Sequence, residues 1–249
     1  MMPYQFTVSP DFSPDHLSGW YIFNTWLQRQ SNEAIHLQLH DSFQKQRKAI
    51  EHDQVDLIYA NPFDAAVLVR EKGFLPLVKA GGVSDEAIIA VHVDYPADDI
   101  SNLPSGIKIA VTEDPAVRMI GMILLEAGDL DAGNTQAIVC NSYILIAKQL
   151  LQGNADVGIF FAEAYDDLSN ITKNKLKVLV RSQISVIHHA LMIGPKLADK
   201  RDYIQNLLAA MSRDEKGKNV LKSLGFDAWI KVEDEEMESM IDLMDTLVI

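Results

Sequence analysis

The feature that most constrains this chain is a stretch that occurs twice. Residues 53–69, DQVDLIYANPFDAAVLV, read as strand, sharp turn and helix. Val55 to Ala60 is a short apolar run of the kind buried inside a parallel sheet. Asn61-Pro62 ends it, because proline fixes φ and has no N–H for a ladder. Ala65, Ala66, Leu68 and Val69 then open a helical pattern. The plan returns in LQGNADVGIFFAEAYDDL. There Leu150 and Leu151 end a helix, Gly153-Asn154 stops it, Val157 to Phe161 is the strand, and Glu163 to Leu168 a helical turn. Two such units predict two α/β lobes. Ligands of open parallel sheets sit beyond the carboxyl ends of the strands. Asn61 to Asp64 and Phe160 to Glu163 are therefore expected to face a common cleft.

The remaining elements fit that plan. Tyr4 to Val8 and Ile35 to His40 alternate as strands, and Leu75 to Ala80, Ala87 to Val93, Ile107 to Val111, Thr135 to Val139 and LKVLVRS add five more. Helices are predicted after Ser13-Pro14 to about Gln30 and over 43–51, 118–127, 142–151, 199–211, 214–224 and 233–247. The last carries Met237, Met240, Ile241, Met244 and Leu247 on one face, a stripe read as core packing. The polar, proline-rich DYPADDISNLPSG follows the apolar strand 87–93. It sets the expected boundaries at 1–93 with 186–249 for the first lobe and 94–185 for the second.

Composition narrows the function classes. At 249 residues a sizeable core is available. A net charge of −13 argues against nonspecific nucleic-acid binding, which needs basic surface. The single cysteine, Cys140, excludes an internal disulfide and a cysteine-based zinc site. No run is long and apolar enough for membrane insertion. The segment MMPYQFTVSPDF has neither a basic nor an apolar leader region. The location expected is the periplasm if a leader was trimmed, and the cytoplasm otherwise. There is no nucleophile elbow, Walker A loop or Gly-x-Gly-x-x-Gly run, so neither catalysis nor a cofactor is expected. His188 and His189 are adjacent on a strand and point to opposite faces, which does not suit one metal ion. His36, Gln38 and His40 share a face without a carboxylate at metal spacing.

The order of motifs resembles the phosphate/phosphite/phosphonate solute-binding proteins of ABC transporters, a branch of the type 2 periplasmic-binding-protein fold. The resemblance rests on YANPFDAA, on NLPSGIKIAVTEDP, on QGNADVG and on the tail KSLGFDAW. It implies two lobes, a hinge, an interlobe cleft and one small-molecule ligand, with an ABC permease or a signalling protein as partner. The sequence departs from the family at the ligand positions. After Asp114-Pro115 the family carries hydroxyl residues at a helix N-terminus, and here Ala116, Val117, Arg118 and Met119 stand there. The family's histidine after the next strand gives way to the Asn141-Ser142-Tyr143 turn, and its acid after "D-x-G" to Phe160 or Phe161.

The candidate ligand-binding residues are therefore Ser9, Asp11, Asn61, Phe63, Asp64, Thr112, Arg118, Asn141, Tyr143, Phe160 and Phe161. Each has an alternative. Ser9, Asp11 and Ser13 could instead cap the first helix, and Asn61, Phe63 and Asp64 could be turn chemistry. Arg118 either clamps an anion or pairs with Glu113 or Asp114. Phe160, Phe161 and Tyr143 either wall a pocket or pack in the core. The composite expectation is a non-catalytic solute-binding protein for an acid with an apolar or aromatic body. The alternatives are a cytosolic sensor subunit and a metabolic enzyme of the same fold. Missing hydroxyls leave an oxyanion short of donors. Phosphate and methylphosphonate should therefore bind weakly or not at all by calorimetry, and tight binding of either would refute the reading.

Overall fold

The protein is described by a computed structural model that covers residues 3–12, 14–83 and 85–247. The first part of the chain forms β1 (Tyr4–Val8), α1 (Leu17–Ser31), β2 (Ile35–Leu37), α2 (Phe43–Glu51), β3 (Leu57–Ala60), α3 (Pro62–Lys72) and β4 (Leu75–Ala80). The middle forms β5 (Ala87–His92), β6 (Lys108–Val111), α4 (Pro115–Glu126), β7 (Gln136–Val139), α5 (Tyr143–Leu151), β8 (Val157–Phe161), α6 (Ala162–Asp166), α7 (Asn170–Lys173) and β9 (Leu176–Arg181). The last part forms β10 (Ala190–Ile193), α8 (Arg201–Ala209), α9 (Glu215–Ser223), β11 (Trp229–Lys231) and α10 (Asp234–Leu247).

These elements divide into two compact α/β units, one running to residue 84 and taking up His188–Thr246, the other built on Asp85–Ile187. The first sheet has the order β11-β4-β10-β3-β1-β2 and the second β7-β6-β8-β5-β9. Each repeated strand sits centrally in its own sheet with the same neighbours. β3 has parallel β1 on one side and antiparallel β10 on the other. β8 has parallel β6 on one side and antiparallel β5 on the other. Both sheets are thus mixed, although the apolar run 55–60 reads as a strand of the kind buried inside a parallel sheet. Burial on two faces makes a strand apolar whichever way its neighbour runs, so periodicity does not report orientation.

The first boundary also moves. Ala87–His92 was expected to leave the first lobe, yet it pairs with β8 over Ala87–Val91 and with β9 over Ile88–His92. The chain therefore passes into the second unit before this strand, not after it, and returns just before β10 instead of at 185–186. Where it enters and leaves the second unit, the backbone is tied together. Ala87 N donates to Ser182 Oγ at 2.8 Å and Ser182 N donates to the Ala87 carbonyl at 2.9 Å. The Glu86 carboxylate accepts from Ser182 Oγ, from Ile184 N at 3.1 Å and from Ser185 N at 2.8 Å. Ser185 has φ 61°, a left-handed conformation costly for a residue with a Cβ, and the Glu86 bond helps hold it there.

An aromatic cluster fills the first unit. The Trp20 ring lies 4.9 Å from Tyr59, 5.8 Å from Phe23, 6.1 Å from Phe226 and 6.2 Å from Phe6. Most of these pairs are edge-on, the arrangement that ring quadrupoles favour. The methionine stripe of α10 is core, as its spacing indicates: Met237, Met240, Ile241 and Met244 are all buried. The Leu247 side chain, the fifth of the stripe, lies outside the described residues, as does Ser13. Ion pairs of Arg201 with Asp234, Lys79 with Glu236 and Arg70 with Asp245 flank this stripe.

Close approach of α1 to α9 depends on a residue without a side chain. A Cβ on Gly19 would lie 2.1 Å from the Ser223 carbonyl oxygen, and backbone has little freedom to give way. Gly19→Ala should lower stability by about 1–3 kcal/mol through this overpacking, read as a lower urea midpoint at unchanged slope. An unchanged midpoint would show that the two helices are not held at this spacing.

Candidate functional site

In the first unit, the carboxyl ends of β1 and β3 and the amino end of antiparallel β10 lie together. Asn61 caps α3, its Oδ1 accepting from Asp64 N at 2.9 Å. Its Nδ2 donates to Ser9 Oγ at 3.0 Å and to Asp64 Oδ2 at 2.8 Å. Ser9, Asn61 and Asp64 are buried, so this network is first of all the turn chemistry that follows β1 and β3. Asp64 reaches one step further and accepts from Arg47 Nε at 2.6 Å. The Arg47 guanidinium carbon sits 5.5 Å from the Phe43 ring centroid and 5.6 Å from that of Phe63. Gln46, one residue earlier, is buried and donates to the Val8 carbonyl at 2.8 Å, fixing α2 to the end of β1.

Beside this network, Asp11 Oδ2 meets His189 Nε2 at 3.1 Å. The His189 ring stacks on Tyr59 at 5.3 Å. Burial on its own would raise the Asp11 carboxyl. The His189 charge and hydrogen bonds from His189 and Ser9 outweigh that and hold it below its ordinary value of 3.8. His188 approaches a different acid, Glu236, at 3.5 Å. The two histidines thus serve separate partners, and no His/Cys/Asp/Glu group suited to a metal occurs among the described residues.

In the second unit the corresponding strand ends are those of β6, β7 and β8. The helix α4 begins at Pro115, earlier than the 118 expected, because Asp114 caps it. Asp114 Oδ1 accepts from Ala116 N and Val117 N, both at 3.1 Å. Its Oδ2 accepts from the Tyr143 hydroxyl at 2.9 Å. The Tyr143 and Phe161 rings lie 6.4 Å apart. Two amides of this helix N-terminus are therefore occupied by the chain's own carboxylate.

The structure brings together Ser9, Asn61 and Asp64 in one unit, and Tyr143 with Phe161 in the other. It separates Phe160 from them. That side chain is fully buried in the second core, its ring 5.3 Å from Tyr165, so it packs instead of lining a surface. Successive strand residues face opposite ways, which puts Phe160 inward and the half-buried Phe161 outward. Arg118 is exposed, and among the described residues its side chain has neither hydrogen bond nor ion pair, so side-chain pairing with Glu113 or Asp114 does not occur. Asn141 is exposed on the turn before α5, and Thr112 is half-buried, its Oγ1 3.4 Å from Asp114 N. The sequence reading missed Arg47 and set His189 aside. Arg47 lies in QKQRK, a run that looks like a solvated helix face, and nothing local marks which cation meets Asp64.

Comparison with known proteins places these two units in a family. The family model described as "ABC transporter, phosphonate, periplasmic substrate-binding protein" matches residues 6–237. The chain belongs to this family of substrate-binding proteins of ABC transporters. Among solved structures it is similar to PhnD1 of Prochlorococcus marinus (MIT 9301), determined in complex with methylphosphonate. The TM-score is 0.82 at 11% identity, over 98% of this chain and 97% of that one. It is also similar to XAC2383 of Xanthomonas citri bound to ATP, with a TM-score of 0.76 at 14% identity over the whole of both chains. The periplasmic aliphatic sulphonate binding protein SsuA of Escherichia coli gives 0.70 at 13% identity, over 98% and 87%. At such identities these likenesses establish the shared fold. No curated protein matches the chain. No helix among the described residues is long and apolar enough to cross a membrane.

The Asp11–His189 contact carries a pH signature. A carboxyl held below its ordinary value stabilises the fold above that value, and the contribution fades as pH falls through the lowered one. Asp11→Asn should therefore lower the Tm at neutral pH, with the gap to the parent narrowing below about pH 4. A gap that stays constant down to about pH 3 would contradict the assignment.

Proposed function

We propose that this protein is a non-catalytic solute-binding protein that takes up one small acid with an apolar or aromatic body and delivers it to an ABC permease. The setting proposed is the periplasm, where its family operates. The observation that carries the ligand class is the state of the α4 N-terminus. Asp114 already fills the first two amides, and Ala116 and Val117 offer no hydroxyl. A second anion there would meet a buried carboxylate, a costly like-charge contact. A compact phosphonate such as the methylphosphonate held by PhnD1 of Prochlorococcus marinus is thereby disfavoured.

Several groups support a larger acid. Arg118 is an exposed, uncommitted guanidinium one turn into α4. Phe161 with Tyr143, and Phe63 in the other unit, offer aromatic surface. In this reading the ligand meets strand-end groups, with Thr112, Asn141 and Asp11 as polar contacts. Ligand contacts that exist together in only one arrangement of the chain favour that arrangement by their differential affinity. Delivery then requires the permease to favour the other arrangement.

A thermal-shift screen of small acids identifies the ligand by mass action on the folded state. With it in hand, Arg118→Ala should weaken binding by about 1.5–3 kcal/mol, the range for a charge-assisted hydrogen bond. Arg118→Lys should recover part of that loss, because lysine lacks the planar fork. Phe161→Ala should also weaken binding, through lost contact area. If Arg118→Ala binds as tightly as the parent, the acid is not read by Arg118. If the hit is converted to a product, the protein is an enzyme.

A further inference from the structure

The side chain that remains unexplained by packing is Arg47. It is held on three sides: Asp64 takes its Nε at 2.6 Å, and the Phe43 and Phe63 rings lie 5.5 and 5.6 Å from its guanidinium carbon. Its Nη2 is buried, and no acceptor meets it among the described residues. A guanidinium has five N–H donors, and leaving a buried one unmade forfeits its full solvation. Natural interiors leave few such donors unmade. The side chain as a whole is still more than a third exposed, so solvent reaches part of it. The placement is equally specific. Arg47 sits one turn into α2, against the first turn of α3, where the carboxyl ends of β2 and β3 release the chain.

We infer that Arg47 is a specificity-determining ligand contact, and that it selects a singly charged acid head, a carboxylate or sulfonate, joined to an apolar body. This rests on the solute-binding reading and adds to it a contact in the first unit. The argument for single charge is electrostatic. Asp64 is buried and already neutralises Arg47, so the pair has no net charge before a ligand arrives. Asp11, another buried carboxylate of the same strand-end region, already meets His189 at 3.1 Å. One incoming negative charge gains charge-assisted hydrogen bonds from the guanidinium. A second charge gains no second cation and is repelled by Asp64. Phe43 and Phe63 hold the guanidinium plane and present ring surface beside it, where an apolar ligand body finds contact. Arg118 has no comparable support and contributes charge without fixed direction.

The test uses benzenesulfonate and phenylphosphonate, which share one body and differ in charge at about pH 8. Calorimetry on the full chain should give benzenesulfonate at least about tenfold tighter binding than phenylphosphonate. Arg47→Gln should bring the two within about threefold, mainly by weakening the sulfonate. Removing Arg47 alone strands the Asp64 charge, so Arg47→Gln with Asp64→Asn is the companion variant. It removes both charges together and should lose the same preference while remaining folded. A parent that prefers phenylphosphonate, that binds neither probe, or whose preference survives in the double variant overturns the inference. The solute-binding reading is judged separately, by whether the thermal-shift screen of other acids finds a ligand at all.

Discussion

The fold of the second unit depends on how its two ends are closed. A chain that leaves one compact unit, builds another and returns must bring its points of entry and departure together. Here that closure is made by hydrogen bonds of Glu86 to Ser182, Ile184 and Ser185, beside the reciprocal bonds between Ala87 and Ser182. The carboxylate receives three donors, which suits a half-buried anion. The closure also sets the start of β5 beside the end of β9, with which it pairs antiparallel. β10 is the counterpart in the first unit, antiparallel to β3 and delivered as the chain returns. The repeated strand–turn–helix thus gains the same environment twice, with a parallel neighbour on one side and an antiparallel one on the other.

The two strand-end regions then differ in what they do with their polar groups. In the second unit a buried carboxylate, Asp114, is satisfied by two helix amides and the Tyr143 hydroxyl. A helix N-terminus can receive a ligand anion or an internal one, and one carboxylate used inside leaves fewer donors for a visitor. In the first unit the donors are side chains: Arg47 is steadied by Asp64, and His189 pairs with Asp11. The chain belongs to the phosphonate-type substrate-binding family, and the groups gathered near its strand ends include a guanidinium and aromatic rings.

Much of this was legible in the sequence. Strands β1, β4 and β8 and helix α2 fall on the residues that pattern and turn signals indicate. The methionine stripe of α10 packs as its spacing says. The motif order identified the family, and the match over residues 6–237 bears that out. Strand direction was not legible, because a doubly buried strand is apolar beside either kind of neighbour. For the same reason β5 was assigned to the wrong unit: its apolar run says it is central without saying in which sheet. The start of α4 was missed by three residues, since Asp114-Pro115 reads equally as a turn and as an N-cap with proline in the first turn. At the site, Phe160 and Phe161 are indistinguishable in composition, and only strand parity decides which faces the core. Arg47 was hidden because its partner, Asp64, lies 17 residues away, beyond any local pattern.

The central claim is that the protein holds one small acid and returns it unchanged. Equilibrium dialysis of the full chain against a mixture of small metabolites, followed by mass spectrometry of both chambers, tests it most directly. The account predicts that one acid with an apolar or aromatic body accumulates on the protein side, near one per chain, with its mass unaltered after release. Retention of none, or recovery of the retained compound as a different molecule, would contradict it.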